Sequence, residues 1–167
     1  MHKYLVFCAT MLLFTACERE PGNVAATPTP GAVEKSSVTT DASANHTDEP
    51  KGTFTVDAKT ERGTLFENKS TKEQTITLIA TGEWSFAPAA GMVGADGAAA
   101  IAAGNFLLPG TSSFALIVKR GDGTFEKVGA KSTLTLKPGE IVYFMMNELR
   151  GGFADNRGSL SVSWAKQ

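Results

Sequence analysis

From Gly52 on, the chain falls into short runs in which hydrophobic and polar residues alternate, the period of a strand with one buried face, separated by turn residues. The clearest case is the last: Leu160, Val162 and Trp164 alternate with Ser159, Ser161 and Ser163. Before it come short runs at Thr53–Val56, Gly63–Phe66, Gln74–Ile79, Glu83–Phe86, Phe114–Lys119, Thr124–Val128, Thr133–Leu136 and Ile141–Met146. Turn residues punctuate them: a polar stretch around Asn68–Lys72, Gly121-Asp122-Gly123 with glycines that accept positive φ, and Pro138-Gly139. Phe114–Lys119 is the most apolar run and is expected at the centre of a sheet. No stretch sustains a helical period over ten residues. The pattern predicts an all-β sandwich of two antiparallel sheets over residues 52–167. Ala89–Gly104, dominated by Ala and Gly, shows neither period; it is expected to be a long loop, with a short helix at Ala98–Ala103 as the alternative.

The first 51 residues follow another logic. Met1-His2-Lys3-Tyr4 leads into an apolar run from Leu5 to Phe14 and then Thr15-Ala16-Cys17. A positive start, a short apolar segment and small residues at a cut are the parts of a secretory signal, and about ten apolar residues are half of what spans a bilayer. Leu13-Phe14-Thr15-Ala16-Cys17 resembles the bacterial lipobox, with Phe14 where Leu is usual. Residues 1–16 are therefore expected to be a lipoprotein signal peptide that carries Cys8 away with it. Cys17 becomes the lipidated first residue of the mature chain, held in the membrane by several acyl chains, each buried methylene contributing about 0.8 kcal/mol. Residues 17–51 are expected to be a disordered tether: between 18 and 50 there is no Leu, Ile, Met or aromatic residue, and Thr, Ser, Ala, Pro and acids dominate. Such a segment buries too little apolar surface to offset its ordering entropy, and as a coil it reaches about 30 Å. His46 falls inside it and is expected to have no structural role. These features place the domain in the cell envelope, outside the cytoplasm. Glu18, in place of the Asp associated with inner-membrane retention, points to the outer membrane.

Charge adds a constraint. Residues 18–50 carry two basic and six acidic side chains, and residues 51–167 thirteen basic and eleven acidic ones. That excess is too small for nucleic acid, which requires a concentrated Lys/Arg stripe. No Cys follows Cys17, so the domain holds together without a disulfide. With His2 in the signal and His46 in the tether, the domain is expected to contain neither His nor Cys. This removes Ser-His and Cys-His nucleophile pairs and His- or Cys-ligated zinc. No phosphate loop and no dinucleotide fingerprint occurs either. What remains is oxygen chemistry, suited to hard cations such as Ca²⁺.

The best oxygen cluster is Asn147-Glu148-Leu149-Arg150-Gly151-Gly152-Phe153-Ala154-Asp155-Asn156-Arg157-Gly158, between two expected strands. A loop that returns on itself here brings Glu148 towards Asp155 and Asn156, giving two carboxylates, an amide oxygen and loop carbonyls. The bland alternative is an ordinary turn, since Asn and Gly tolerate left-handed backbone. A carboxylate pair also suffices for glycoside hydrolysis. Two acids in one short loop are more often metal ligands or solvated charge, however, and the chain is expected not to be an enzyme.

Residues 52–165 resemble the galactophilic PA-IL-type bacterial lectins, a calcium-dependent jelly-roll family. The matching stretches are Thr75 to Pro88, which includes Gly82-Glu83-Trp84-Ser85-Phe86; Ala115 to Gly121; and Asn147-Glu148 followed by Asp155-Asn156-Arg157-Gly158-Ser159-Leu160-Ser161-Val162. The resemblance implies a jelly-roll-like sandwich with calcium held by Glu148, Asp155 and Asn156 and by the backbone carbonyls of Phe86 and Gly152. Glu148 stands where the family has Asp, and Gly152 where it has a residue with a side chain. In the family a His and a Gln of the long mid-chain loop contact the hexose. Ala89–Asn105 has neither, so galactose preference does not carry over, and Asp96 and Asn105 are the side chains left to reach a sugar. Trp84 offers either a stacking face for a sugar ring or core packing, the commoner use of such a residue. The function expected is that of a membrane-anchored lipoprotein binding carbohydrate with a calcium ion. The alternative is a non-catalytic envelope protein that has lost the sugar site and acts through protein contacts.

Overall fold

In the computed structural model residues 45–167 are described; the signal segment 1–16, the lipidation position Cys17 and the tether up to residue 44 lie outside the described residues. The alternating runs become strands: β1 (Asn45–His46), β2 (Lys51–Asp57), β3 (Thr64–Glu67), β4 (Gln74–Ser85), β5 (Leu116–Arg120), β6 (Phe125–Lys127), β7 (Lys131–Leu136), β8 (Ile141–Met146) and β9 (Arg157–Lys166). They form a five-stranded sheet in the order β1-β3-β8-β5-β6 and a four-stranded sheet in the order β2-β9-β4-β7. Every pairing is antiparallel except β1 with β3, which is parallel. The architecture is the jelly-roll-like β-sandwich expected, and the described residues contain no helix.

Burial follows the period of two. Phe54, Val56, Ile76, Leu78, Leu134, Leu136, Leu160, Val162 and Trp164 face inward from the four-stranded sheet, and Phe66, Leu116, Val118, Val142, Phe144 and Met146 meet them from the other. At the centre Phe54 lies 5.4 Å from Phe66 and 5.0 Å from Phe144, while Trp164 meets Phe66 edge-on at 5.4 Å. Tilted and edge-on pairs at such distances are the favoured aromatic geometries.

Three expectations need correction. Gln74–Ile79 and Glu83–Phe86 are not separate strands but one, β4, running unbroken beside β9. Gly82, between the two runs, sits inside the strand at φ 97°, and a β carbon there would come within 2.9 Å of the Ser159 carbonyl. It marks a close approach of two backbones, not a strand end. The Ala98–Ala103 helix does not form; the loop is tied by backbone pairs instead, Trp84 with Val93 and Ile101 with Ser112. Finally, the boundary at residue 52 falls too late. Asn45–His46 adds a parallel edge strand to β3, and Thr47 is fully buried, its hydroxyl donating to Asn68 Oδ1 at 2.8 Å. His46 thus belongs to the fold, its Nδ1 accepting the Asp48 N–H at 3.3 Å. These polar residues join the sheet through backbone hydrogen bonds, which leave no hydrophobic period to read.

Candidate cation site

Glu148 follows β8 by two residues, and Asn156 immediately precedes β9. Because β8 and β9 belong to different sheets, the connecting loop bridges the two layers at one end of the sandwich. The β4–β9 register pairs Ser85 with Arg157; continued by one residue, it sets Phe86 opposite Asn156. The backbone thereby gathers the expected ligands from two loops.

Both key side chains are buried, Asn156 fully and Glu148 to 3% exposure. Asn156 is fixed by its amide nitrogen, which donates to the Ala58 carbonyl at 3.0 Å. Flipping the amide would set two oxygens against each other, so its orientation is determined. Its Oδ1 has no hydrogen-bond partner. Glu148 Oε1 accepts the Leu149 N–H at 2.8 Å, while Oε2 has no partner. Burial pushes the Glu148 carboxyl above the ordinary carboxylate range, and the negative charge of exposed Asp155 adds to the rise. The Leu149 N–H and the nearby Asn156 amide pull the other way. Glu148 and Asn156 are thus neighbours, and the Asp155 carboxylate lies near enough for its charge to act on Glu148.

Gly152 borders the same carboxylate: a β carbon there would lie 3.2 Å from Glu148 Oε1. The longer side chain at 148 occupies space that a side chain at 152 would fill. Among the described residues no group of three or more His, Cys, Asp or Glu side chains is gathered, so any cation here would rest on a mixed oxygen set. Two orphaned buried oxygens from a carboxylate and an amide fit a hard cation, since groups buried without a partner are otherwise rare.

Asn105 is exposed and precedes Phe106, which bridges Leu149, so it lies at the rim of this loop. Asp96 has another engagement: its Oδ1 accepts the Ala130 N–H at 3.0 Å. The tryptophans are core residues, Trp84 at 0% and Trp164 at 5% exposure, which removes the stacking role considered for Trp84.

Two residues beside the site carry roles that alternation did not suggest. Asn147, fully buried, exchanges two hydrogen bonds of 2.9 Å with the backbone of Leu108 and donates to the Ser112 carbonyl at 3.2 Å. It holds the Phe106–Ser112 loop against the cation loop. Phe114 has φ 61°, the one positive value for a non-glycine among the described residues. Its strained backbone is held from three sides: its N–H donates to Asn147 O at 2.8 Å, its carbonyl accepts from Trp84 Nε1 at 2.9 Å, and its ring stacks on Phe86 at 3.8 Å. The only sequence hints were an Asn closing an apolar strand and a Phe opening one.

No protein-family model and no curated protein matches the chain. Among solved structures it is similar to one described as "EclA N-terminal domain; PllA-like lectin", with 21% identity, 69% of this chain and 95% of that chain covered, and a TM-score of 0.49.

Proposed function

We propose that the protein binds carbohydrate at the cell surface through a calcium ion held by Glu148, Asp155 and Asn156 with the backbone carbonyls of Phe86 and Gly152. The observation that carries this reading is the pair of buried, unpartnered oxygens, Glu148 Oε2 and Asn156 Oδ1, in one loop beside the exposed Asp155 carboxylate. Leaving both unmatched costs free energy that an oxygen-seeking cation would recover. Calcium in such a set supplies open coordination positions that adjacent sugar hydroxyls can take. The protein orients the set: Ala58 fixes Asn156, Leu149 N–H fixes one oxygen of Glu148, and Asn147 holds the neighbouring loop. Asn105, exposed on the rim, would contact the sugar, and Asp96 would have one oxygen left for that purpose. The role is binding, not catalysis, and the lipid on Cys17 keeps the domain at the outer membrane.

Calorimetric titration with Ca²⁺, followed by glycan-array binding with and without chelator, tests the proposal. Saturable calcium binding and chelator-sensitive glycan binding are expected. If the protein takes up no calcium and the array stays blank in its presence, the reading is wrong. Anchoring is tested separately by fractionating cells: the chain should sediment with membranes and Cys17→Ser should not.

A second reading, a sandwich that acts through protein contacts, is favoured by Ile101 and Met92. These stand 66% and 50% exposed on the Ala/Gly-rich loop. Crosslinking from position 101 to one reproducible protein, combined with a blank array, would favour it.

A further inference from the structure

The outer face of the five-stranded sheet carries a groove of about 620 Å³ that contains none of the candidate cation ligands, although Arg150 of the same loop lines one wall. Strand register builds its floor. Leu65, Tyr143, Lys119 and Phe125 stand in one row across β3, β8, β5 and β6. Their chain neighbours Phe66, Val118, Val142 and Phe144 point into the core, so this row points out. Met145, only 2% exposed although it faces away from the core, deepens the floor. Arg62 and Arg150 stand at the walls with Glu61.

The charge on these walls is unbalanced. Arg62, Lys119 and Arg150 face a single carboxylate, Glu61, whose Oε1 already accepts the Gly151 N–H at 3.2 Å. Among the described residues none of the three cations has a carboxylate within 4.0 Å, unlike Arg120, which pairs with Glu126 and Glu140. A concave site with three unpaired cations favours an anionic occupant. The floor narrows its chemistry. The backbones of β3, β8 and β5 are already paired beneath it, so an extended peptide finds no free edge to extend. Half-buried aromatic rings beside exposed charged groups, here Tyr143 and Phe125 beside Arg62, Lys119 and Arg150, instead suit a pyranose, whose apolar face packs on an aromatic while its acid group meets Arg or Lys. The volume lies within the range of small-ligand sites.

We infer that this groove, lined by Tyr143 and Phe125 and flanked by Arg62, Lys119 and Arg150, binds a saccharide bearing an acid group, independently of calcium. It is a second site beside the one under the proposed function, and it stands or falls separately.

The test is titration of the full chain in chelator with trigalacturonate, a sulfated disaccharide, neutral galactotriose and hexaglutamate. At least one acidic sugar should bind, about tenfold or more tighter than galactotriose, and weaken as salt rises. Arg62→Ala and Lys119→Ala should each weaken it about fivefold. Tyr143→Ala should weaken it while Tyr143→Phe keeps it, separating ring stacking from the hydroxyl. Calcium titration of the same protein without chelator is read separately, so that failure of the cation site and failure of the groove give different results. The ratio of carboxylated to sulfated sugar then sets the preferred acid group. Equal binding of galactotriose, tighter binding of hexaglutamate, or indifference to both cation substitutions overturns the inference.

Discussion

Glu148 Oε2 and Asn156 Oδ1 are buried without hydrogen-bond partners, and each such group costs about 1–3 kcal/mol relative to a satisfied one. The Glu148 carboxyl is the more expensive of the two because burial opposes its charge and Asp155 adds to the opposition. Its folded proton affinity is therefore higher than its unfolded one. In chelator, the stability this contributes is present in full below the ordinary carboxylate range and is lost as pH rises through the raised folded value. Glu148→Gln removes that titration. In chelator at neutral pH the variant should be more stable than the parent by on the order of 1 kcal/mol, and its acid-side stability profile should be flatter. With calcium the order should reverse, because the parent gains a cation and the variant does not. Urea melts of both proteins at several pH values, with calcium and with chelator, check this; a variant stabilised by calcium as much as the parent counts against Glu148 as a ligand.

At the scale of elements, what could be read from the sequence depended on how each element is held. The inward-facing strands showed themselves because one face of each is buried; β8 matched its apolar run residue for residue, and β9 its alternation. β1 was illegible because two polar residues join the sheet edge through backbone pairing and an Asn45 side-chain hydrogen bond to the Leu65 carbonyl, with no buried apolar face. The Ala/Gly loop was illegible for a related reason. Its shape follows from close backbone packing, as at Gly97, where a β carbon would meet the Ser113 carbonyl at 2.4 Å, and such packing leaves no side-chain period. Glu148, Asp155 and Asn156 stood out by residue type in a loop between two clear strands, whereas Asn147 and Phe114 act through hydrogen bonds to distant residues that no spacing encodes. The same contacts make predictions. Asn147→Ala removes three hydrogen bonds from a buried position and leaves the Leu108 N–H and carbonyl unmatched, while the Ser112 carbonyl keeps only the Ala115 N–H at 3.4 Å, so a loss of about 2–4 kcal/mol is expected in denaturant melts. Faster amide exchange confined to residues 105–113 should accompany it. Gly82→Ala drives a β carbon against the Ser159 carbonyl at a positive φ; it should destabilise the fold by about 1–3 kcal/mol, with exchange rising along the β4–β9 pairing. Ala at Gly91, where nothing lies within 4 Å of the added carbon, serves as the neutral control.

At the scale of the whole molecule, the loop proposed to bind the cation would have a structural role as well. Residues 147–156 carry the chain from the end of β8 in one sheet to the start of β9 in the other, and the β4–β9 register continued by one residue sets Phe86 beside Asn156. A cation gripped by these segments would tie the two layers together at that end, where the buried oxygens otherwise weaken the joint. The opposite arrangement, a cation on an exposed loop tip, would be felt only locally. Ligand linkage sets the size of the effect: at a free calcium concentration one hundred times the dissociation constant, about 2.7 kcal/mol is added to stability. For a domain of this size each kcal/mol moves the melting temperature by about 3–5 °C. Chelation should therefore lower the melting temperature by about 10 °C while leaving the β-sheet circular dichroism at 20 °C (about room temperature) unchanged, since both sheets keep their core. Magnesium should restore little of the loss, because it prefers a tighter octahedron with retained waters to a mixed set of carboxylate, amide and carbonyl oxygens. A melting temperature indifferent to chelator would mean that the end of the sandwich is closed by the protein alone, and that the two orphaned oxygens are a standing cost of this loop.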